Sequence, residues 1–472
     1  MWKTEKGRGL IDRIAQKKGF WKKYGDFGLI VVSITMVIIF LLVAWSAYVA
    51  TSIPSSQAPE ASEVLAIPGL NPLIPIWYGI LGLAIAIIVH EFSHGILFRV
   101  FDVKLKALGL IFIVVPLGAF AEPDEDELEE VDKRKRGRMY AAGPTTNIVL
   151  SIVVVLIFST LFMGAVSAKE DGVVVSRIID GTPAAESDLQ ENEQILKIGD
   201  ERIRSNEDFN TVNITPMEEV EVKTRRGDTH HYHNVTSGLV VGGLVEDHVA
   251  QKADLQTGDI ITSMDDQAVK NYTKFADILE KKDPGETIHV TFHRKENGTY
   301  ENDSVSFELD ERNGEAFMGI RPTYLGITTW DVEKVPQLLS SPYEGAEGIQ
   351  DYFQRSAEYM ALPFLGLSPL PDEVTELYTV NGPLSALPND AFWTISNSLY
   401  WVFWLNLLVG LFNSLPAIPL DGGHMFNDGL EELVKKLGFD DDKSEKVSSG
   451  ITWVVALSIL FMLMWQMIGP RI

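Results

Sequence analysis

The 472-residue sequence contains no cysteine. That excludes disulfides, thiolate nucleophiles and Cys-ligated zinc, and it leaves the redox compartment open. Positive charge is also in short supply. The chain has 40 Lys and Arg against 65 Asp and Glu, for a net charge of −25. The deficit is concentrated: between Ala168 and Asp390 stand 42 acidic and 19 basic residues. Nucleic-acid binding needs clustered Lys and Arg, so no nucleic-acid partner is expected. The acidic stretch reads as a solvated surface. The sequence is rich instead in long apolar runs, which flank this acidic block on both sides.

A membrane span needs about 20 apolar residues. Gly28–Ala50, Pro75–Phe98, Met139–Val166, Ala391–Phe412 and Val447–Met467 qualify. The first is long and follows 27 residues with a basic bias, which favours an uncleaved anchor over a signal peptide. Residues 1–27 hold eight Lys and Arg, the 51–74 loop holds none, and the next loop carries Lys133-Arg134-Lys135-Arg136. The positive-inside rule then puts the N-terminus in the cytoplasm and the acidic block outside. Five N-x-[ST] sequons, at Asn213, Asn234, Asn271, Asn297 and Asn302, all fall in that block. The weakly apolar segment Tyr359–Leu370, with Pro363 and Pro369, reads as surface or interfacial rather than as a span.

The acidic block repeats itself at a shift of 66 residues. Asp188-Leu189-Gln190 matches Asp254-Leu255-Gln256, Ile195 and Ile198 match Ile261 and Met264, Ile203 matches Val269, and Phe209 matches Phe275. Alternating runs at Val220–Val222 and Ile288–Val290 read as strands. Leu255-Gln256-Thr257-Gly258-Asp259-Ile260-Ile261, and Thr182-Pro183-Ala184-Ala185 in the first copy, resemble PDZ domains. PDZ modules bind extended peptide ends by strand addition; the alternative is a pair of spacer domains. His230-His231-Tyr232-His233 after the first copy is a transition-metal candidate, or simply a solvated strand end.

The chemistry lies in the second apolar run, which ends His90-Glu91-Phe92-Ser93-His94. Helical spacing i, i+4 puts two imidazoles on one face, where both can bind one Zn²⁺. Glu91 sits where H-E-x-x-H sites hold the general base. Ionisable residues in an apolar span mark function by default. Zinc needs a third protein ligand and an open fourth position. Asn413-Ser414-Leu415-Pro416-Ala417-Ile418-Pro419-Leu420-Asp421-Gly422-Gly423-His424 follows the fourth apolar run. Its prolines break the helix and its paired glycines permit close backbone approach, so Asp421 is the candidate third ligand. His90 lies nine residues, about 14 Å of helix, before Arg99, toward the cytoplasmic side that Asp421 also reaches. His424 is expected beside the metal and not on it.

Together, H-E-x-x-H in a transmembrane helix, Gly143-Pro144-Thr145-Thr146-Asn147 and N-x-x-P-x-x-P-L-D-G-G resemble the site-2 protease family of intramembrane zinc metalloproteases. PDZ modules between the third and fourth spans are also a feature of that family. The resemblance implies one zinc per chain on His90, His94 and Asp421, with Glu91 activating water. Asn147 and Asn413 match family asparagines; they either hold the substrate backbone or a developing oxyanion, or cap and pin helices. Val115-Pro116-Leu117-Gly118-Ala119-Phe120 resembles the family's re-entrant strand pair, whose free edge receives substrate.

The expected fold is an α-helical polytopic membrane protein of about five to six transmembrane helices with an inserted extracytoplasmic α+β tandem PDZ-like region. The expected parts are a basic cytoplasmic N-terminus (1–27), an anchor (28–50), a first core segment (75–166), PDZ-like domains at 167–234 and 235–325, a linker (326–390), a second core segment (391–430), and a cytoplasmic loop with the last span (431–472). The expected activity is hydrolysis of transmembrane segments of membrane proteins, single-pass substrates foremost, in the lipid bilayer. Rival readings are a catalytically inactive receptor or scaffold that binds peptides through its PDZ-like domains, and a zinc transporter.

Overall fold

The computed structural model describes residues 2–4, 7–52, 62, 67–112, 116–365, 370 and 372–471. Val115 of the expected strand pair and residues 366–369 of the segment Tyr359–Leu370 lie outside them. The chain divides into two compact units. One comprises Met1–Leu161, Ser356–Pro369 and Asp390–Ile472, the other Phe162–Arg355 and Leu370–Asn389.

The first unit is helical. Its main helices are α1 (Arg8–Ala15), α2 (Lys18–Ala50), α3 (Ile76–Val100), α4 (Lys133–Tyr140), α5 (Ala142–Leu156), α6 (Asn389–Asn413), α7 (Asp421–Lys436) and α8 (Asp441–Ile468). Five helical stretches among the described residues are long and apolar enough to cross a membrane: Lys18–Ala50, Ile76–Val100, Lys133–Ala165, Asn389–Asn413 and Asp441–Arg471. They cover the five apolar runs except Pro75 and Val166, each one residue outside, and extend into the flanking charge. No described helix in Tyr359–Leu370 joins them; there the Tyr359 and Met360 carbonyls accept from Tyr400 Oη and Trp404 Nε1 of α6, both at 3.0 Å.

The metal-bearing span α3 turns small and polar side chains inward and several large apolar ones outward. On α3, Gly79, Gly82, Ala86, His90, Ser93 and His94 are buried while Trp77, Leu81 and Ile88 are exposed. Small residues let helices approach in lipid, where apolar burial alone gives no drive. At Gly82 a Cβ would come within 2.8 Å of the Trp401 carbonyl on α6. Between α3 and α4 the chain forms an antiparallel pair, β2 (Leu105–Phe112) and β3 (Pro116–Pro123), with Leu108 opposite Ala121; β1 (Trp2–Thr4) pairs with the far side of β2. Among the described residues β3 is therefore an end strand of this sheet.

The second unit holds two modules of matching build. In chain order their strands are β4 (Val173–Ile178), β5 (Gln194–Ile198), β6 (Glu219–Arg226), β7 (Thr229–Thr236), β8 (Leu239–Leu244), β9 (Ile260–Met264), β10 (Thr287–Glu296), β11 (Thr299–Glu308), β12 (Ile320–Tyr324) and β13 (Ile327–Asp331). The sheets run β13-β4-β5-β6-β7 and β11-β10-β9-β8-β12. The repeat explains the likeness. Ile195, Ile198, Ile203 and Phe209 are buried in one core, and their partners Ile261, Met264, Val269 and Phe275 in the other. The module helices Asn206–Thr211 and Tyr272–Leu279 are capped 66 residues apart by Ser205 and Asn271, whose side chains accept from Asp208 and Lys274 N–H.

One strand departs from the expected partition. β13, within the stretch read as a linker from 326, pairs antiparallel with β4 and completes the first module. The first module is thus interrupted by the whole of the second. The signal was present as a seven-residue echo, Met318-Gly319-Ile320 and Leu325-Gly326-Ile327, each opening an outer strand.

Candidate metal centre

α3 presents His90 and His94 one turn apart on its buried face. Asp421 is the first residue of α7, reached through a non-helical turn after α6. Gly422 and Gly423 lie so close to that turn that a Cβ would meet the Ser414 carbonyl at 2.3 Å and the Ala417 backbone at 2.4 Å. The three side chains converge. The two Nε2 atoms are 3.1 Å apart, and Asp421 Oδ2 lies 3.0 Å from that of His90 and 3.3 Å from that of His94. Among the described residues these form the one cluster of three or more potential metal ligands.

The surrounding hydrogen bonds fix which atoms face inward. The Met139 carbonyl can only accept, so His94 Nδ1 donates to it, at 2.8 Å. Asn147 Nδ2 donates to the Ala86 carbonyl (3.0 Å) and to Asn406 Oδ1 (3.2 Å), so its Oδ1 accepts from His90 Nδ1 at 3.1 Å. As neutral metal ligands, both imidazoles would aim an unprotonated Nε2 at the buried Asp421 Oδ2, which has no hydrogen-bond partner among the described residues. Three electron-pair donors facing one another repel unless a cation lies between them. Their spacing suits one: metal bonds of about 2.0–2.1 Å place tetrahedral ligands about 3.3 Å apart. The donor set of two imidazoles and a carboxylate fits zinc and leaves its fourth position open.

Gly143 forms the wall opposite. A Cβ there would sit 2.4 Å from His94 Nε2 and 2.6 Å from His90 Nε2, so any other residue would intrude on the site. Glu91 is partly buried, and its Oε2 accepts from the Ala121 N–H of β3 at 2.9 Å. The helix that carries the acid is thereby tied to the strand pair.

The other sequence-derived candidates lie around this core. Asn147 is fully buried, with its amide bonded as described. Asn413 is half-buried, and its Nδ2 donates to the Val409 carbonyl one turn back. His424 stacks on Tyr140, ring centroids 5.0 Å apart, outside the ligand cluster. In the other unit, His230 and His231 are exposed on β7, while buried His233 places Nε2 2.9 Å from Glu193. Sequence reasoning missed Met139 and Ala121, which act through backbone groups that carry no residue signature. It also missed Asn406, a fully buried amide in an apolar span, which the cost of intramembrane polarity could have flagged.

The sequence pattern described as Peptidase family M50 matches residues 78–459. The chain is 30 % identical over 227 residues to the uncharacterized protein MJ0971 of Methanocaldococcus jannaschii, covering 48 % of this chain and 59 % of that one. It is 22 % identical over 419 residues to the regulator of sigma-E protease RseP of Escherichia coli, covering 75 % of this chain and 90 % of that one. The putative zinc metalloprotease NMA0084 of Neisseria meningitidis is 22 % identical over 399 residues, with 73 % and 88 % covered. A solved PDZ domain, from the SdrC-like protein of Listeria monocytogenes, is 27 % identical and covers 18 % of this chain and 87 % of its own, at a TM-score of 0.16.

Proposed function

Because the chain belongs to peptidase family M50, we propose that it is a zinc metalloendopeptidase of the site-2 protease type, cutting peptide bonds within the transmembrane segments of other membrane proteins. The observation that carries this reading is the convergence of His90, His94 and Asp421 beside Glu91 in the apolar helix α3. His90, His94 and Asp421 are assigned as ligands of one zinc ion, and Glu91 as general base. Zinc held there supplies Lewis-acid polarisation of the scissile carbonyl and acidifies the attacking water.

The chain's own groups do the rest. Glu91 takes the proton of the attacking water and returns it to the leaving amine. The Ala121 N–H holds the Glu91 carboxylate, which limits its rotation. Asn147 and the Met139 carbonyl hold the two imidazoles in the ligating tautomer, so Asn147 is a positioning residue. Asn413, half-buried at the end of α6, is assigned to the substrate backbone. A helical substrate hides its carbonyls and must be unwound. The outer edge of β3, which carries Ala121, offers a strand partner for the unwound segment.

We assign the modules to the extracytoplasmic side and the metal centre to cytoplasmic depth, on the charge asymmetry of the loops. The second module is the one assigned to peptide ends. A cavity of about 580 Å³ lies between its helix and β12, lined by Phe275, Leu279, Phe317, Met318 and Ile320. An extended peptide there adds to the outer edge of β12. A tagged single-pass membrane protein co-expressed with wild type or Glu91→Gln tests the main reading. Cleavage is expected only with wild type, and equal products from both refute it. Zinc content is expected to fall from one per chain to none on Asp421→Ala; unchanged zinc refutes the ligand assignment.

A further inference from the structure

Four residues of the α4–α5 segment face four residues of α7 in antiparallel register without slip. Lys133, Arg136, Tyr140 and Gly143 are spaced 3, 4 and 3 apart, so they share one helix face. Glu431, Asp428, His424 and Asp421 have the same spacing in reverse. Lys133 pairs with Glu431. Arg136 grips Asp428 two-pronged, Nε to Oδ2 at 2.9 Å and Nη2 to Oδ1 at 2.5 Å. Tyr140 stacks on His424 at an interplanar angle of 21°. Gly143 and Asp421 close the series at the metal centre.

The series matters because of how Asp421 is held. Its chain neighbours toward the N-terminus form an irregular turn, and Leu420 supplies no side-chain cap. The height of the carboxylate is therefore set both by the turn against which Gly422 and Gly423 pack and by where α7 docks along α4. A slip of one helical turn, about 5.4 Å, would take it out of reach of the histidines. Stacked apolar faces tolerate such slips, whereas a buried two-pronged ion pair does not, because a displaced partner leaves a buried charge unpaired. The Arg136 and Asp428 side chains are only 15 % and 10 % exposed.

We propose that Arg136 and Asp428, with Lys133–Glu431 and Tyr140–His424 on either side, form a register clamp that sets Asp421 at ligating height beside His90 and His94. The clamp residues are positioning residues, and the inference rests on the zinc reading of the site. The test is zinc affinity of the full-length protein in lipid nanodiscs, by competition with a chelator. Arg136→Ala and Asp428→Ala are expected to weaken zinc about 10- to 100-fold, the range for residues that orient metal ligands. The charge-swapped double variant Arg136→Asp with Asp428→Arg is expected to bind more tightly than either single variant. Arg138→Ala, which breaks the neighbouring pair with Asp26 of α2, is expected to keep wild-type affinity.

Wild-type affinity in Arg136→Ala and Asp428→Ala, or a swap no better than the single changes, overturns the clamp. So does an Arg138→Ala loss as large as that of Arg136→Ala, since general loosening of α4 would then suffice. Should Arg136→Ala fail to accumulate, Arg136→Lys keeps the charge but not the two-pronged grip, and undiminished zinc affinity in it overturns the clamp equally. Wild-type protein that takes up no zinc overturns the metal reading and the clamp with it, whereas zinc bound alike by wild type and every clamp variant overturns the clamp alone.

Discussion

The two modules of the second unit share a strand plan and differ at their working edges. In the second, a cavity separates the helix Tyr272–Leu279 from the outer strand β12. In the first, the same two elements are fastened together. The Asn206 N–H donates to Asp331, and Thr329 Oγ1 donates to Asn206 Oδ1 at 2.6 Å, joining the start of the helix to β13. The buried acids that follow the equivalent loops differ as well. Asp259 is gripped by Arg294 at 2.9 and 2.7 Å. Glu193 instead accepts from Thr224 at 2.8 Å and lies 2.9 Å from His233. Matched apolar positions therefore yield the same sheet, while the polar contacts beside it differ between the two modules. A repeat detected in sequence establishes common architecture and leaves common binding undecided.

Six substitutions, grouped in four tests, would break or sharpen that contrast. Phe209→Ala and Phe275→Ala remove matched rings, 3 % and 5 % exposed, from the two cores. Each is expected to destabilise its own module by about 3–5 kcal/mol. Hydrogen exchange, read separately over β4–β7 and β8–β11 of the full chain, measures both; very unequal losses would mean the cores are not equivalent. Next, Asp259→Ala strands a charged Arg294 and is expected to cost about 3 kcal/mol, whereas Glu193→Ala loses bonds to less strongly charged partners and should cost about 1–2 kcal/mol. Denaturant titration followed by proteolysis of each module ranks the two.

A smaller effect bears on the groove itself. Pro322 in β12 has no N–H to give an added strand. Pro322→Ala restores one backbone donor, worth about 0.5–1.5 kcal/mol, and should tighten a C-terminal peptide up to about tenfold. Calorimetry with such a peptide that shows weaker binding would remove β12 as the docking edge. The smallest effect is acidic. A hydrogen bond from Lys282, aided by the His289 N–H, holds the Asp265 carboxyl below its ordinary value. A carboxylate with a lowered folded-state pKa adds stability above its unfolded pKa and loses it as pH falls through the folded one. Gly199 occupies the corresponding place in the first module. Module two alone should therefore lose this small increment on acidification below about pH 4, and Asp265→Asn should abolish the difference in melting temperature between pH 5 and pH 3 attributable to it.

Much of the architecture could be read from residue order because its signals are local. Twenty apolar residues in a row, H-E-x-x-H at one-turn spacing, and alternating strands are patterns within a single element. Asp421 was nominated on similar grounds, by prolines and glycines that forbid a regular helix around it. What escaped detection is relational. The Met139 carbonyl and Ala121 N–H belong to every residue type, so no letter announces them. Asn147 left two roles open, substrate or oxyanion contact against capping or pinning a helix, and its contact with His90 Nδ1 was neither, because which imidazole an amide meets is set by the packing of two helices. The pairing of Arg136 with Asp428 appears only once two distant helices are known to run antiparallel. β13 was taken for linker because its sheet lies a whole module upstream.

That displaced strand imposes a timetable on synthesis. Residues 239–324 contain every strand of the second module's sheet, so that module can close as soon as it clears the ribosome. Residues 173–236 emerge earlier but lack their outer strand until residue 331 has been made. The domain encoded first is therefore finished last, and until then the flank of β4 stays open while its look-alike neighbour is already folded.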